Sequence, residues 1–174
     1  MMDYKSLVRI ALFAALIAVL GLIPKLDIPI AAGVPITAQT LGVMLAGLLL
    51  GPRHGASAVL LFLFAVALGA PMLSGGRGGL GVFFGPTVGF LAGWVVGAWV
   101  CGWVYQRIRS GLLGCWLGGI GVVYVFGILG LVLISGLSLS QAALATLVFL
   151  PGDILKSLLA AWVVGRLQIK HREP

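Results

Sequence analysis

The sequence predicts an all-α integral membrane protein with six transmembrane helices, its residues 1–174 forming a single transmembrane domain. Three observations carry this. Of 174 residues 61% are hydrophobic and only 9% charged, against about 25% charged in soluble domains, and mean hydropathy is +1.19. The apolar residues fall into runs of bilayer-spanning order, each span taking roughly 20 residues. Lys and Arg sit near the ends of those runs, as membrane topology demands.

The runs are read as Ser6 to Ile23, Ile36 to Leu50, Gly55 to Gly69, Phe84 to Tyr105, Leu112 to Ile134 and Gln141 to Leu167. GPRH (Gly51 to His54) separates the second from the third, and Arg107 with Arg109 separates the fourth from the fifth. The second and third are short; short apolar segments flanked by Gly and Pro mark either broken helices around a substrate site or a locally thinner bundle. The first has a basic start, but Pro24, Lys25 and Asp27 follow it rather than a small-residue cleavage signal, so it reads as a span.

With the N-terminus inside, Lys5, Arg9, Arg53, Arg107, Arg109, Arg166, Lys170 and Arg172 are cytoplasmic and only Lys25 and Arg77 lie outside. Eight against two requires an even number of spans with both termini cytoplasmic. The formal charge of +7 is therefore a topology signal. It forms no basic patch with interleaved aromatics and points to no nucleic acid. Six spans leave no room for a nucleotide-binding domain, so the chain does not hydrolyse ATP by itself.

Asp153 and Lys156 interrupt an otherwise apolar run from Ala142 to Gly165. Charges at bilayer depth are expensive and mostly line a site or an ion path. Three residues apart on a helix, they project from nearly one face. A structural ion pair is the alternative, but desolvation makes such a pair a poor stabiliser compared with apolar residues. Pro151 predicts a kink just before Asp153, because it cannot donate to the helical ladder. Gln39, in PITAQT, brings a donor and an acceptor to the outer end of the second span, while Thr37 there reads as an N-cap. Tyr124 lies mid-span, where its hydroxyl needs either another helix or a ligand. Trp103, Tyr105 and Trp116 fit an interfacial aromatic belt. Cys101 and Cys115 read as packing residues.

In the first span Ala11 and Ala15, and Ala14 and Ala18, form a stripe of small residues that suits close helix approach, within this chain or by a partner. The outer loops Pro24 to Pro35 and Ser74 to Gly81, the second with five glycines, are candidate lids. No catalytic set is present: there is no paired-His metal motif, and Ser157 beside Lys156 diverges from it on a helix. No catalytic residue, metal site or cofactor is expected.

PITAQTLGVMLAGLLLGPRHG (Pro35 to Gly55), GAPMLSGGRGGLGVFFGPTVGF (Gly69 to Phe90) and FLPGDILKSLLAA (Phe149 to Ala161) together resemble the BioY family, the biotin-capturing S components of energy-coupling factor (ECF) vitamin transporters. The resemblance covers about a third of the chain, and LPGDILK is specific to it; GPTVGF departs from the expected GPTGGY at Val88 and Phe90. It implies an S-component fold binding biotin near the outer face of a bacterial or archaeal cell (inner) membrane. Asp153, Lys156, Gln39 and Arg77 are the implied binding residues. The alanine stripe would dock on the ECF coupling transmembrane subunit, which two cytoplasmic ATPases power. The ureido ring offers N–H groups to a carboxylate such as Asp153, and an ammonium such as Lys156 can meet the ring carbonyl or the tail carboxylate. Competing readings are an S component for another vitamin, such as thiamin or riboflavin, and a stand-alone proton-coupled carrier with Asp153 as the proton site.

The topology is checked by impermeant thiol labelling in cells: a cysteine at Gly76 reacts from outside, and one at Arg109 reacts only after permeabilisation. Reaction of Arg109→Cys in intact cells contradicts the orientation.

Overall fold

The computed structural model describes residues 3–25, 27 and 31–170. Arg172, which the orientation reading counts, and part of the Pro24–Pro35 loop lie outside the described residues. Among the described residues the structure is helical. α1 is Tyr4–Leu20. α2 (39–50) and α3 (52–67) form a hairpin that breaks at Gly51, whose φ of 80° and ψ of 178° leave the helical region. α4 is Val88–Ile108, α5 Gly111–Ser135, α6 Leu139–Leu147 and α7 Leu150–Lys170. A short 3₁₀ turn, Leu80–Phe84, precedes α4.

The GPRH turn expected between the second and third spans is present. A Cβ placed on Gly55 would fall 2.8 Å from the Ala46 carbonyl oxygen and from the Gly47 Cα. A continuous helix would hold Gly55 and Gly47 about 12 Å apart, so the chain doubles back. Pro52 follows the break, in the first turn of α3, where its missing N–H is harmless.

By length and composition alone, Gln39–Ala67, Val88–Ile108 and Gly111–Ser135 can each cross a membrane, and Leu139–Leu147 with Leu150–Leu167 can do so as a pair bent by 50°. Within this count the first stretch is two short antiparallel arms, and α1, with 17 residues, is also short. The six expected helices are thus present, the sixth broken into α6 and α7. The break falls at Val148–Phe149, a little before the place expected from Pro151, which sits in the first turn of α7.

Helix ends follow local chemistry. Ser138 caps α6 in a reciprocal box: its hydroxyl accepts from the Gln141 N–H at 3.3 Å, and the Gln141 side chain accepts from the Ser138 N–H at 3.0 Å. The Ser110 hydroxyl accepts from the Leu113 N–H at 3.2 Å to open α5. The N-cap of α2 is Ala38 rather than the expected Thr37, whose hydroxyl lies one residue earlier and accepts from the Gln39 N–H at 3.3 Å.

Glycine contacts bring the central helices together. A Cβ on Gly89 would lie 2.3 Å from the Phe126 carbonyl oxygen and 2.9 Å from the Gly130 Cα, so α4 and α5 touch backbone to backbone. Residues Cys115–Val122 of α5 take π-helical form, a local widening often found at functional sites. Cys101 and Cys115 are buried and unbridged, packed with Met44, Leu48 and Val164. Large apolar side chains cover the exterior, Leu12, Phe64, Leu133 and Leu155 among them, as contact with lipid requires.

Of the three residues assigned to an aromatic belt, Trp103 and Trp116 are exposed but Tyr105 is buried. Tyr105 is a correction: it packs in the cluster with Met44 and Cys101. Its place beside Trp103 in the sequence hid the fact that the two occupy different helix faces. Arg107 lies over the Trp103 ring at 5.8 Å and Arg166 over Trp162 at 5.6 Å, a cation–π arrangement suited to a membrane boundary.

Replacing Gly89 with leucine is expected to destabilise the purified protein by about 1–3 kcal/mol through overpacking, seen as a lower unfolding temperature in detergent. Leucine at Gly165, which faces open space, leaves that temperature unchanged.

Candidate functional site

The 50° break between α6 and α7 turns Asp153 into a first-turn residue of a new helix. There the helix dipole favours a carboxylate, although the Asp153 N–H itself is spent on the Phe149 carbonyl at 3.0 Å. Lys156 follows one turn later, and its Nζ lies 2.8 Å from Asp153 Oδ1. The pair is buried: side-chain exposure is 5% for Asp153 and 16% for Lys156. At that burial the two charges interact strongly, and every further polar contact counts.

Two neighbours complete the network. The Thr40 hydroxyl donates to Asp153 Oδ1 at 3.1 Å and accepts from Lys156 Nζ at 2.9 Å. The Tyr124 hydroxyl donates to Asp153 Oδ2 at 2.9 Å. Asp153 is therefore held from α2, α5 and α7 at once. Tyr124 bonds another helix, one of the two readings left open for it, and it also lines the pocket.

These polar groups open on one cavity, whose empty space is about 540 Å³ when its open mouth is counted. Phe90, Leu91, Trp94, Phe149 and Val123 give it an apolar wall, and Arg77 and Thr87 also line it. Phe90 and Phe149 meet edge to face, with ring centres 5.6 Å apart at 82°. Thus Phe90, one of the two departures in GPTVGF, is a wall residue.

The structure places the sequence-derived residues unevenly. Asp153, Lys156, Tyr124, Gln39 and Arg77 all border the cavity. Gln39, however, is fully buried, and its amide is occupied by Ile17, Met72 and Ser74. Arg77 sits in a turn closed by Leu73 and Arg77 backbone bonds of 3.0 and 3.2 Å. Half-burial pulls its guanidinium below the ordinary arginine value, and Asp27 works in the opposite direction. The alanine stripe is divided. Ala14 is buried and Ala18 packs against the core, whereas Ala11 and Ala15 stay exposed. Close packing within the chain accounts for the first pair.

Thr40, a further polar group of PITAQT beside Gln39, carries no site role in the sequence reading, yet it bridges the pair. Trp94, Phe90 and Phe149 gave no signal, because an apolar wall residue looks like any other apolar residue in such a chain.

A helical bundle crossing the membrane, with an apolar-walled cavity that a charged pair also lines, defines a membrane protein with a pocket inside its bundle. A sequence model of the BioY family matches residues 1–172. The biotin transporter BioY of Rhizobium etli is 49% identical over 95% of this chain and 93% of its own length. That of Rhodobacter capsulatus is 45% identical over 97% and 95%. The crystal structure of the S-component for biotin from an ECF-type ABC transporter superposes with a TM-score of 0.88 at 32% identity, covering 97% of this chain and 94% of that one. The chain belongs to the BioY family.

Removing one partner of the pair strands the other charge. Asp153→Leu or Lys156→Met alone is expected to cost about 3–5 kcal/mol, read as unfolding temperature in detergent. The double substitution recovers most of that loss. An additive double variant contradicts the coupling drawn from the 2.8 Å contact.

Proposed function

We propose that this protein is the biotin-binding S component of an ECF-type vitamin transporter and not an enzyme. The observation that carries the reading is the buried Asp153–Lys156 pair, bridged by Thr40 and Tyr124, at the polar end of an apolar cavity. Membership of the BioY family, whose relatives are named biotin transporters, supports it.

The ligand chemistry fits the wall and the charges. Biotin has a ureido ring with two N–H donors and a carbonyl acceptor, an apolar fused ring and an acidic tail. Asp153 accepts from the ring N–H groups, and Lys156 donates to the ring carbonyl. Tyr124 and Thr40 hold both ends in place when the site is empty and exchange partners when it fills. Phe90, Trp94 and Phe149 enclose the fused ring. Arg77, half-buried at the mouth, takes the carboxylate, since guanidinium groups suit that geometry.

Both termini face the cytoplasm, and the protein resides in the bacterial or archaeal inner membrane. Biotin enters from the outer side. The exposed Ala11 and Ala15 of α1 form the small-residue face that the coupling transmembrane subunit meets, and two cytoplasmic ATPases drive release. No cofactor takes part; biotin is cargo.

Equilibrium binding of labelled biotin to detergent-purified protein tests the proposal. Wild type binds. Asp153→Asn and Lys156→Ala each weaken binding by about a hundredfold or more, as expected when a charged hydrogen-bonding partner is removed from a dry site. Thiamin and riboflavin do not compete. Retention of thiamin or riboflavin in place of biotin would favour another vitamin. Biotin affinity unchanged in both variants removes this site.

A further inference from the structure

Gln39 is fully buried, yet its polar atoms turn away from the cavity it borders. Its Nε2 donates to the Ile17 and Met72 carbonyl oxygens, both at 3.1 Å. Its Oε1 accepts from the Ser74 N–H at 3.1 Å and from the Ser74 hydroxyl at 3.3 Å. A primary amide has two N–H donors and two acceptor positions, so all four are in use. The partners lie on α1 and on the loop after α3, and Gln39 itself is the first residue of α2. One side chain therefore fastens three segments.

The fastened loop carries Arg77. Ser74, held by Gln39, accepts at its carbonyl from Arg77 Nε at 3.3 Å, and Leu73 and Arg77 pair through their backbones. Gly21, just after α1, shows how close the loop lies: a Cβ there would fall 2.4 Å from the Met72 carbonyl oxygen and 2.9 Å from Gln39 Nε2. A substituent at position 21 would wedge the same junction from the other side.

We propose that Gln39 is a positioning residue which contacts no ligand and instead clasps the 72–77 loop onto the end of α1, fixing Arg77 at the mouth of the pocket. The inference rests on the biotin reading for its ligand but not for its geometry. Gln39 acts on ligand retention only through Arg77. An open clasp frees the loop, and the ligand escapes past it.

Two measurements test this. The first is the dissociation rate of labelled biotin and of biotinamide, whose tail is uncharged, from purified wild type, Gln39→Ala, Gly21→Ala, Arg77→Ala and the Gln39→Ala/Arg77→Ala double variant. Gln39→Ala and Gly21→Ala each speed biotin release by about tenfold, the scale of a lost buried hydrogen-bond set. Neither adds to Arg77→Ala, because one effect runs through the other, and biotinamide release is little altered. Additive losses, or equal effects on both ligands, overturn the proposal and make Gln39 a direct contact.

The second needs no ligand. A nitroxide on Met72→Cys is immobile in otherwise wild-type protein and becomes mobile with Gln39→Ala or Gly21→Ala, while a label on Ser140→Cys in another connection does not change. Unchanged mobility at position 72 refutes the clasp. Absence of biotin binding by wild type together with a mobile label refutes the biotin reading alone. Should Gln39→Ala fail to fold, Gly21→Ala decides, since it keeps Gln39.

Discussion

A carboxylate and an ammonium 2.8 Å apart in a nearly dry place constrain the rest of this molecule. Neither charge tolerates isolation there, so the fold must bring polar partners to them. It does so from two other helices. Thr40 arrives at the start of α2 and Tyr124 midway along α5, and each spends its hydroxyl on Asp153. The break between α6 and α7 belongs to the same solution, because it gives Asp153 the N-terminal turn of a helix.

The packing around this centre is arranged to keep it open. α4 and α5 meet through Gly89 and Gly130 without side chains between them. Further along, Phe90, Trp94 and Phe149 stand back as a wall. The cavity thus exists because large residues surround it while small ones pull the helices together elsewhere. Leu73 and Arg77 of the loop after α3 also line it, and that loop is fixed to α1 and α2 by the Gln39 amide. The paired charges of α7 and the fastened loop border the same cavity.

What was legible in the sequence has a common cause. Asp153, Lys156 and Pro151 stand out because an apolar background makes each polar or helix-breaking residue conspicuous. Gly51 before Pro52 announced the α2–α3 hairpin for the same reason. Tyr124 was conspicuous mid-span, but its partner was 29 residues away, and helical periodicity says nothing about such contacts. The hydrogen bonds of Gln39 stayed hidden for that reason too: its partners lie 22 to 35 residues away. The alanine stripe looked uniform in sequence, but only a packed bundle decides which alanines face inward, and it buries Ala14 while exposing Ala11 and Ala15. The π-helical stretch of α5 left no trace at all, since its glycines serve equally well in an ordinary helix contact.

The central claim is that the buried pair exists to hold a small polar ligand. A structure of the purified protein with biotin bound tests it most directly. A ureido nitrogen of biotin is expected within hydrogen-bonding distance of an Asp153 carboxylate oxygen, about 2.7–3.2 Å, with the fused ring against Trp94 and Phe149. Biotin seated elsewhere, with the Asp153–Lys156–Thr40–Tyr124 network unchanged, would contradict it.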